Sequence, residues 1–391
     1  MHNRERGDVV RRGAAAIYSA GFLQGSAFVL IPALGGILHR APYHLNNSTY
    51  GLLYFPEILG TIVAALAAGA LLLRFQTTGL FRLGAMANAV AMVLLVAAFF
   101  AHGTLVVILL LTETLMLGIG FGLTNAMINR AASRLFQKSA TSAVTILNAV
   151  IGGATAMSPL LLAGFGHVLA WVLWPALLCL AWLILPLLPE PEDSAPERGG
   201  LRAWRPSMLP FAAAILLYAI CEGSFGSWAN VLVSVDRHLP AATGALALSL
   251  FWGGMTVARF VFGAIDHFIH RRLLYQAVPL GIATCFLVIP ELRSGTHFLL
   301  GFAVAGAACG IYYPYSMSYG IASHPQEGTQ MAGLLVGSLM IGEGIGSFGL
   351  GPLQHWLSLA TIYHLSALWA IPLMVLAWRN SRTLAPEIRH G

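Results

Sequence analysis

Glu222 sits in the middle of an apolar run, residues 218–231 (YAICEGSFGSWANV). An ionised carboxylate in hydrocarbon costs a few kcal/mol or more unless it is paired or reaches water, so its presence there points to a substrate or ion pathway. A carboxyl removed from water holds its proton more tightly and can gain and lose it near neutrality. Tyr218, Glu222, Gly226 and Asn230 follow at i, i+4, i+8 and i+12 and share one helical stripe, which predicts the wall of a wet cavity. Three more carboxylates fall in apolar runs: Glu343 within residues 342–347 (GEGIGS), Glu57 after Pro56, and Glu113. Glu222, Glu343 and Glu57 are the candidate proton-coupling groups, with Glu113 a fourth of the same kind. For each, the competing reading is an ion pair with Arg259 or a hydrogen bond between helices. Arg259, in the inner third of its span, is expected as a structural charge.

Polar and aromatic residues recur at helical spacing around these acids. Tyr312, Tyr315, Ser316 and Tyr319 share a face near Pro314, which can kink the helix. Gly118, Gly122, Asn125 and Asn129 share another, and Thr145, Asn148, Gly152 and Thr155 a third. Amides and hydroxyls donate and accept, which suits a neutral polyhydroxyl solute. Aromatic faces suit the C–H side of a sugar ring. Candidate solute contacts are Gln24, Asn125, Asn129, Asn148, Trp228, Asn230, Tyr312, Tyr313 and Tyr315. The alternative is that the glycine faces pack helix on helix and the tyrosines line interfaces. No nucleophile–base set or phosphate loop is visible, so an enzyme is not expected. Cys179, Cys221, Cys285 and Cys309 show no CxxC pairing and read as apolar fillers. Neither a metal nor a cofactor is expected.

The elements that must position these groups are membrane spans. The chain of 391 residues is 58% hydrophobic and 9% charged, against roughly 25% charged for a soluble domain. Twelve apolar runs are long enough to cross a bilayer, which takes about 20 residues each. They cover 13–38, 49–73, 79–101, 104–131, 142–166, 168–189, 208–234, 241–265, 273–290, 295–322, 330–351 and 356–378. Of the 21 Lys and Arg, Arg40, Arg237 and Arg293 fall on one side, Arg259 lies in a span, and the others fall on the opposite side. The positive-inside rule then places both termini in the cytoplasm. The net charge of +6 reports topology, and no nucleic-acid partner is expected. The basic N-terminus reads as a tail, since no cleavage site follows a short apolar core. One lysine, Lys138, among many arginines suggests a GC-rich genome and a bacterial inner membrane.

Residues 189–207 (PEPEDSAPERGGLRAWRPS) read as a cytoplasmic linker between residues 1–188 and 208–391, each a six-helix bundle. The two halves echo one another. Gln24-Gly25-Ser26 answers Glu222-Gly223-Ser224. At an offset of 194, Thr49, Gly60, Val63 and Gly69 match Thr243, Gly254, Val257 and Gly263, and residues 122–125 (GLTN) stand where residues 310–313 (GIYY) stand. These matches predict a duplicated six-helix unit around a midplane site.

Twelve spans, a central linker and paired halves resemble the major facilitator superfamily along essentially the whole chain. Its turn after the second span carries a glycine and an acidic–basic pattern. Residues 69–82 keep the glycine and the basic residues but have Leu73 in place of the acid, whereas residues 263–266 (GAID) retain one, followed by Arg271 and Arg272. A closer resemblance is to the fucose–proton symporter group. It is carried by residues 222–228 (EGSFGSW), by residues 251–260 (FWGGMTVARF), and by the glycine-rich run ending at Asn129. In that group a glutamate four residues before this asparagine takes part in proton coupling; here Asn125 occupies the position. The acid expected in the first span is also missing, with Gln24 the nearest polar group. The resemblance implies a monomeric, proton-coupled transporter of a small polar solute, a sugar or sugar derivative, working by alternating access in the lipid bilayer. The alternatives are a proton-driven exporter of amphipathic compounds and a non-transporting membrane sensor.

Overall fold

In a bilayer each unsatisfied backbone N–H or C=O costs several kcal/mol, so apolar runs of this length form helices. The structure, a computed structural model, describes residues 2–136, 140–165, 175–181, 183, 205–265 and 270–382. Among the described residues it is helical with no strand. In chain order the helices are α1 (His2–Phe28), α2 (Leu30–Leu38), α3 (Asn47–Leu52), α4 (Tyr54–Phe100), α5 (Thr104–Leu135) and α6 (Ala140–Phe165). After the linker come α7 (Leu209–Val231), α8 (Ala241–Ile265), α9 (Arg271–Val288), α10 (Gly295–Gly310), α11 (Tyr312–Ser323), α12 (Gly328–Leu353), α13 (Leu359–Ser366) and α14 (Ala370–Asn380).

These helices make 11 membrane-length spans among the described residues. The expected sixth, 168–189, falls largely outside them, as do most of the linker, Asp266 and Lys138. Spans two and three are one helix, α4, broken at Gln76, where φ is 59° and ψ 170°. That break lies between the runs 49–73 and 79–101. Leu66, Val93, Phe100 and Leu105 point outward, exposed. Large apolar side chains stand on this surface because its solvent is lipid.

By contacts the chain divides into two compact units. The first comprises residues 1–33, 40–45 and 52–198, and the second residues 34–39, 46–51 and 199–391. In the first, Ala16, Ile17, Ala20 and Leu23 of α1 pack with Leu80, Phe81, Met127, Ile128 and Leu147. Small residues let the helices approach closely, as membrane packing requires.

The duplication read from the sequence appears as a repeated contact register. In the first unit a methyl at Gly60, Gly118 or Gly122 would meet the backbone at Leu115, Glu57 and Thr61 respectively. In the second unit Gly254, Gly306 and Gly310 stand likewise against Ala303, Phe251 and Met255. Each of these residues of the second span maps onto the eighth by 194 positions, and each of the fourth onto the tenth by 188. The first and fifth spans repeat the pattern: Gly25 lies on the Ile151 carbonyl as Gly223 lies on the Glu343 carbonyl. Gln24 is therefore the positional counterpart of Glu222.

The second unit also holds the far ends of the first two spans. The His39 Nδ1–H donates to the Gly35 carbonyl at 2.7 Å, and Nε2 lies 2.8 Å from the Asn47 side-chain amide. The ring sits 4.9 Å from Tyr50, edge-on. Tyr50 donates to the Ser227 carbonyl at 3.1 Å and meets Trp228 edge-to-face at 5.2 Å. His39 lies outside the spans, and its burial lowers its pKa against the opposing pull of those two bonds.

Candidate functional site

Pro314 shapes the centre of the second unit. It has no N–H to give to the carbonyl four residues earlier, so the carbonyl of Gly310 is left free. The helix breaks at Ile311, between α10 and α11. Arg259 of α8 takes that carbonyl with its Nε–H at 3.1 Å, and its Nη2 lies 3.1 Å from the Met255 sulfur. Arg259 is also near enough to Glu222 to act on its charge. Tyr218, one turn before Glu222 on α7, lies close enough to the Glu222 carboxyl to act on its charge and donates to the Cys309 carbonyl at 2.8 Å. Tyr313 lies within electrostatic reach of both Arg259 and Glu222.

An aromatic column adjoins this group. The ring of Tyr312 is stacked on Tyr218 at 5.2 Å and on Tyr275 at 4.8 Å. Tyr275 shares a 2.8 Å hydrogen bond with Ser316. Both faces of Tyr312 are thus covered by protein. The half-buried rings of Tyr313 and Tyr315 are the ones left with accessible area.

The expectation that the Glu222 stripe walls a wet cavity needs correction. Tyr218, Glu222, Gly226 and Asn230 are all buried within the second unit. Gly226 packs on Trp252, and the Asn230 side chain fills space left by Gly36 and Gly244. Of the stripe's polar side chains, Glu222, at 5% exposure, keeps the most accessible surface. A helix central to its unit has neighbours on every side, which an alternation of polar and apolar residues does not reveal.

The other expected site residues separate into groups. Trp228 is fully buried and donates its Nε1–H to the Ser347 carbonyl at 2.9 Å. Asn230 accepts from the Ser234 hydroxyl, and α12 presents the Glu343 backbone to Gly223, with the Glu343 side chain half-buried. In the first unit, Asn129 donates to the Asn125 carbonyl and side-chain oxygens, each at 2.9 Å. Asn148 is exposed and donates to the Val144 carbonyl at 2.9 Å. Gln24 is wholly buried, and neither of its amide atoms has a hydrogen-bond partner among the described residues. Glu57 lies beside Glu113, in a different unit from Glu222.

Sequence reasoning passed over Asn88. It is buried, packs on Gly120, and leaves both amide atoms without a hydrogen-bond partner among the described residues. Its signal was a lone amide in an otherwise apolar span. Among the described residues no group of His, Cys, Asp and Glu could hold a metal ion.

Membrane-length helices in two repeated units, with carboxyls and amides buried at their centres, define a multi-pass membrane transporter. The chain belongs to the Major Facilitator Superfamily, whose match covers residues 14–352. No curated protein matches. Among solved structures, the chain is similar to a D-xylose–proton symporter at 13% identity and a TM-score of 0.75, covering 96% of this chain and 100% of that one. It is similar to a point mutant of the nucleoside transporter NupG at 13% identity and a TM-score of 0.70, covering 95% and 100%. The xylose transporter XylE from E. coli in an inward-open conformation matches at 15% identity and a TM-score of 0.70, covering 95% and 96%. At these identities the likeness is one of fold. The protein moves small molecules across a membrane and is not an enzyme.

Proposed function

We propose that this chain is a proton-coupled transporter of a small polar solute, a sugar or sugar derivative, with Glu222 as its proton site. The carrying observation is a carboxyl buried at mid-span, one turn from a tyrosine and within electrostatic reach of an arginine. When ionised, Glu222 can accept from the Tyr218 hydroxyl and feels the charge of Arg259. When protonated, its O–H donates to the Tyr218 oxygen, which passes its own hydrogen on to the Cys309 carbonyl. Both forms have partners, which a site that cycles between them requires.

The sugar reading draws on the likeness of residues 222–228 and 251–260 to the fucose–proton symporter group. It also draws on a fold shared with a D-xylose–proton symporter and a nucleoside transporter. Tyr313 and Tyr315 are the rings with face to offer, and Gln24, Asn125, Asn129 and Asn148 supply amides. Tyr312 would contribute its hydroxyl, its faces being taken. Transport would run by alternating access of a monomer in a bacterial inner membrane, both termini cytoplasmic, an orientation that rests on the arginine distribution.

The test is a proteoliposome assay of solute-evoked current and counterflow over a panel of sugars and amphipathic cations. A sugar-evoked current lost in Glu222→Gln, with counterflow retained, supports the reading. Counterflow without current in the wild type makes the protein a facilitator, and current evoked by amphipathic cations alone makes it an exporter.

A further inference from the structure

The first unit contains two buried carboxyls of its own. Glu113 of α5 is completely buried, and neither of its carboxyl oxygens has a hydrogen-bond partner among the described residues. Glu57 of α4 is 7% exposed. The two helices touch backbone to backbone at this level, Gly118 lying on the Glu57 carbonyl and Gly60 on the Leu115 carbonyl. The Thr61 hydroxyl spans the seam, donating to the carbonyls of Glu57 and Gly118 at 2.8 and 3.2 Å. It is therefore occupied by backbone and gives nothing to either carboxyl. Glu57 and Glu113 are near enough to interact electrostatically, and no Lys, Arg or His among the described residues acts on either.

We propose that Glu57 and Glu113 form a second proton-binding site, confined to the first unit, that holds an exchangeable proton on one or other of the two neighbouring carboxyls. Two ionised carboxylates here would repel one another in a medium of low dielectric with no cation to offset them. A proton on either carboxyl removes that repulsion and leaves a single negative charge. A second proton leaves the pair neutral. Among the described residues no other titratable group acts on them.

The internal repeat separates this role from packing. By the registers that map the second span onto the eighth and the fourth onto the tenth, Glu57 corresponds to Phe251 and Glu113 to Gly301. Phe251 is fully buried, and Gly306 lies on its carbonyl as Gly118 lies on that of Glu57. The same helix contact is thus closed in the second unit by a benzyl group and a hydrogen. Nothing in the packing calls for an acid, yet the first unit places two where each costs most. The pair therefore gives the first unit a proton site of its own. Its use in transport rests on the proton-coupled reading above; its existence does not.

Infrared spectroscopy of the full chain in proteoliposomes at neutral pH, in light and in heavy water, tests this without any solute. Wild type is compared with Glu113→Gln, Glu57→Gln and Glu222→Gln. The expected result is a carboxylic-acid carbonyl band that shifts in heavy water and loses intensity in Glu113→Gln and in Glu57→Gln. The component lost in those variants persists in Glu222→Gln. Glutamine matches glutamate in shape, and the two single variants report on the pair independently should one fold poorly. If neither variant removes carboxylic-acid intensity, both groups are ionised and the site is overturned. A band that does not move in heavy water marks a sealed structural acid and overturns it equally. A chain that carries no proton current would refute the proposed function while leaving this spectrum unaffected, so the two failures are distinguishable.

Discussion

Gln24 and Tyr218 separate structural from functional polarity at the level of single side chains. Gln24 buries an amide with no hydrogen-bond partner among the described residues, and an unsatisfied buried polar group costs about 1–3 kcal/mol. Gln24→Met removes that cost at similar volume. Its thermal unfolding midpoint is expected to stay level or rise, while counterflow affinity falls by roughly tenfold if the amide serves the solute, the equivalent of one hydrogen bond. A lowered midpoint with unchanged affinity would make Gln24 a packing residue. Tyr218→Phe keeps the stacking on Tyr312 but removes the donor to the Cys309 carbonyl and the partner of Glu222. That loss is expected to cost about 1–3 kcal/mol of stability and to reduce current more than counterflow. Equal losses in both would count against a role in coupling.

The glycine seams govern the helix pairs. Gly118 and Gly306 occupy equivalent places, each with a carbonyl where a side chain would begin. Alanine at either must push two backbones apart, and overpacking of this kind costs about 1–3 kcal/mol. The two variants are expected to lower the unfolding midpoint in detergent by comparable amounts; a large difference would mean that the shared register does not carry equal weight. Gly349 has only one ordinary contact, at 4.0 Å, and Gly349→Ala should be neutral. His39 adds a pH term at the far end of the first span. Its folded pKa lies below the ordinary value of 6.5 because burial disfavours the cation. Below that value the unfolded chain binds the proton more readily, so stability is full above it and falls as pH drops through it. The unfolding midpoint is expected to decline on acidification across this range, and less steeply in His39→Gln.

Orientation and assembly belong to the whole chain. Cys179, Cys221, Cys285 and Cys309 are all buried, so the wild type should resist a membrane-impermeant maleimide until it is unfolded. That makes it a clean background for single-cysteine reporters. With both termini cytoplasmic, Arg293→Cys is expected to label in intact cells and Arg382→Cys only after lysis. The reverse pattern would invert the orientation read from the arginines.

The apolar runs suffice to specify a multi-pass helical membrane protein, because backbone satisfaction and hydrocarbon thickness leave few other solutions. The Gln24 and Glu222 triplets were legible as a repeat for a related reason: close helix contacts demand small residues at fixed places. Burial was not legible. Periodicity shows which residues share a face, while the neighbours of that face are set by helices distant in sequence. Only the tertiary structure enclosed the Glu222 stripe, brought Arg259 to the Gly310 carbonyl that Pro314 leaves free, and set Glu113 beside Glu57 across a seam that the second unit closes with Phe251.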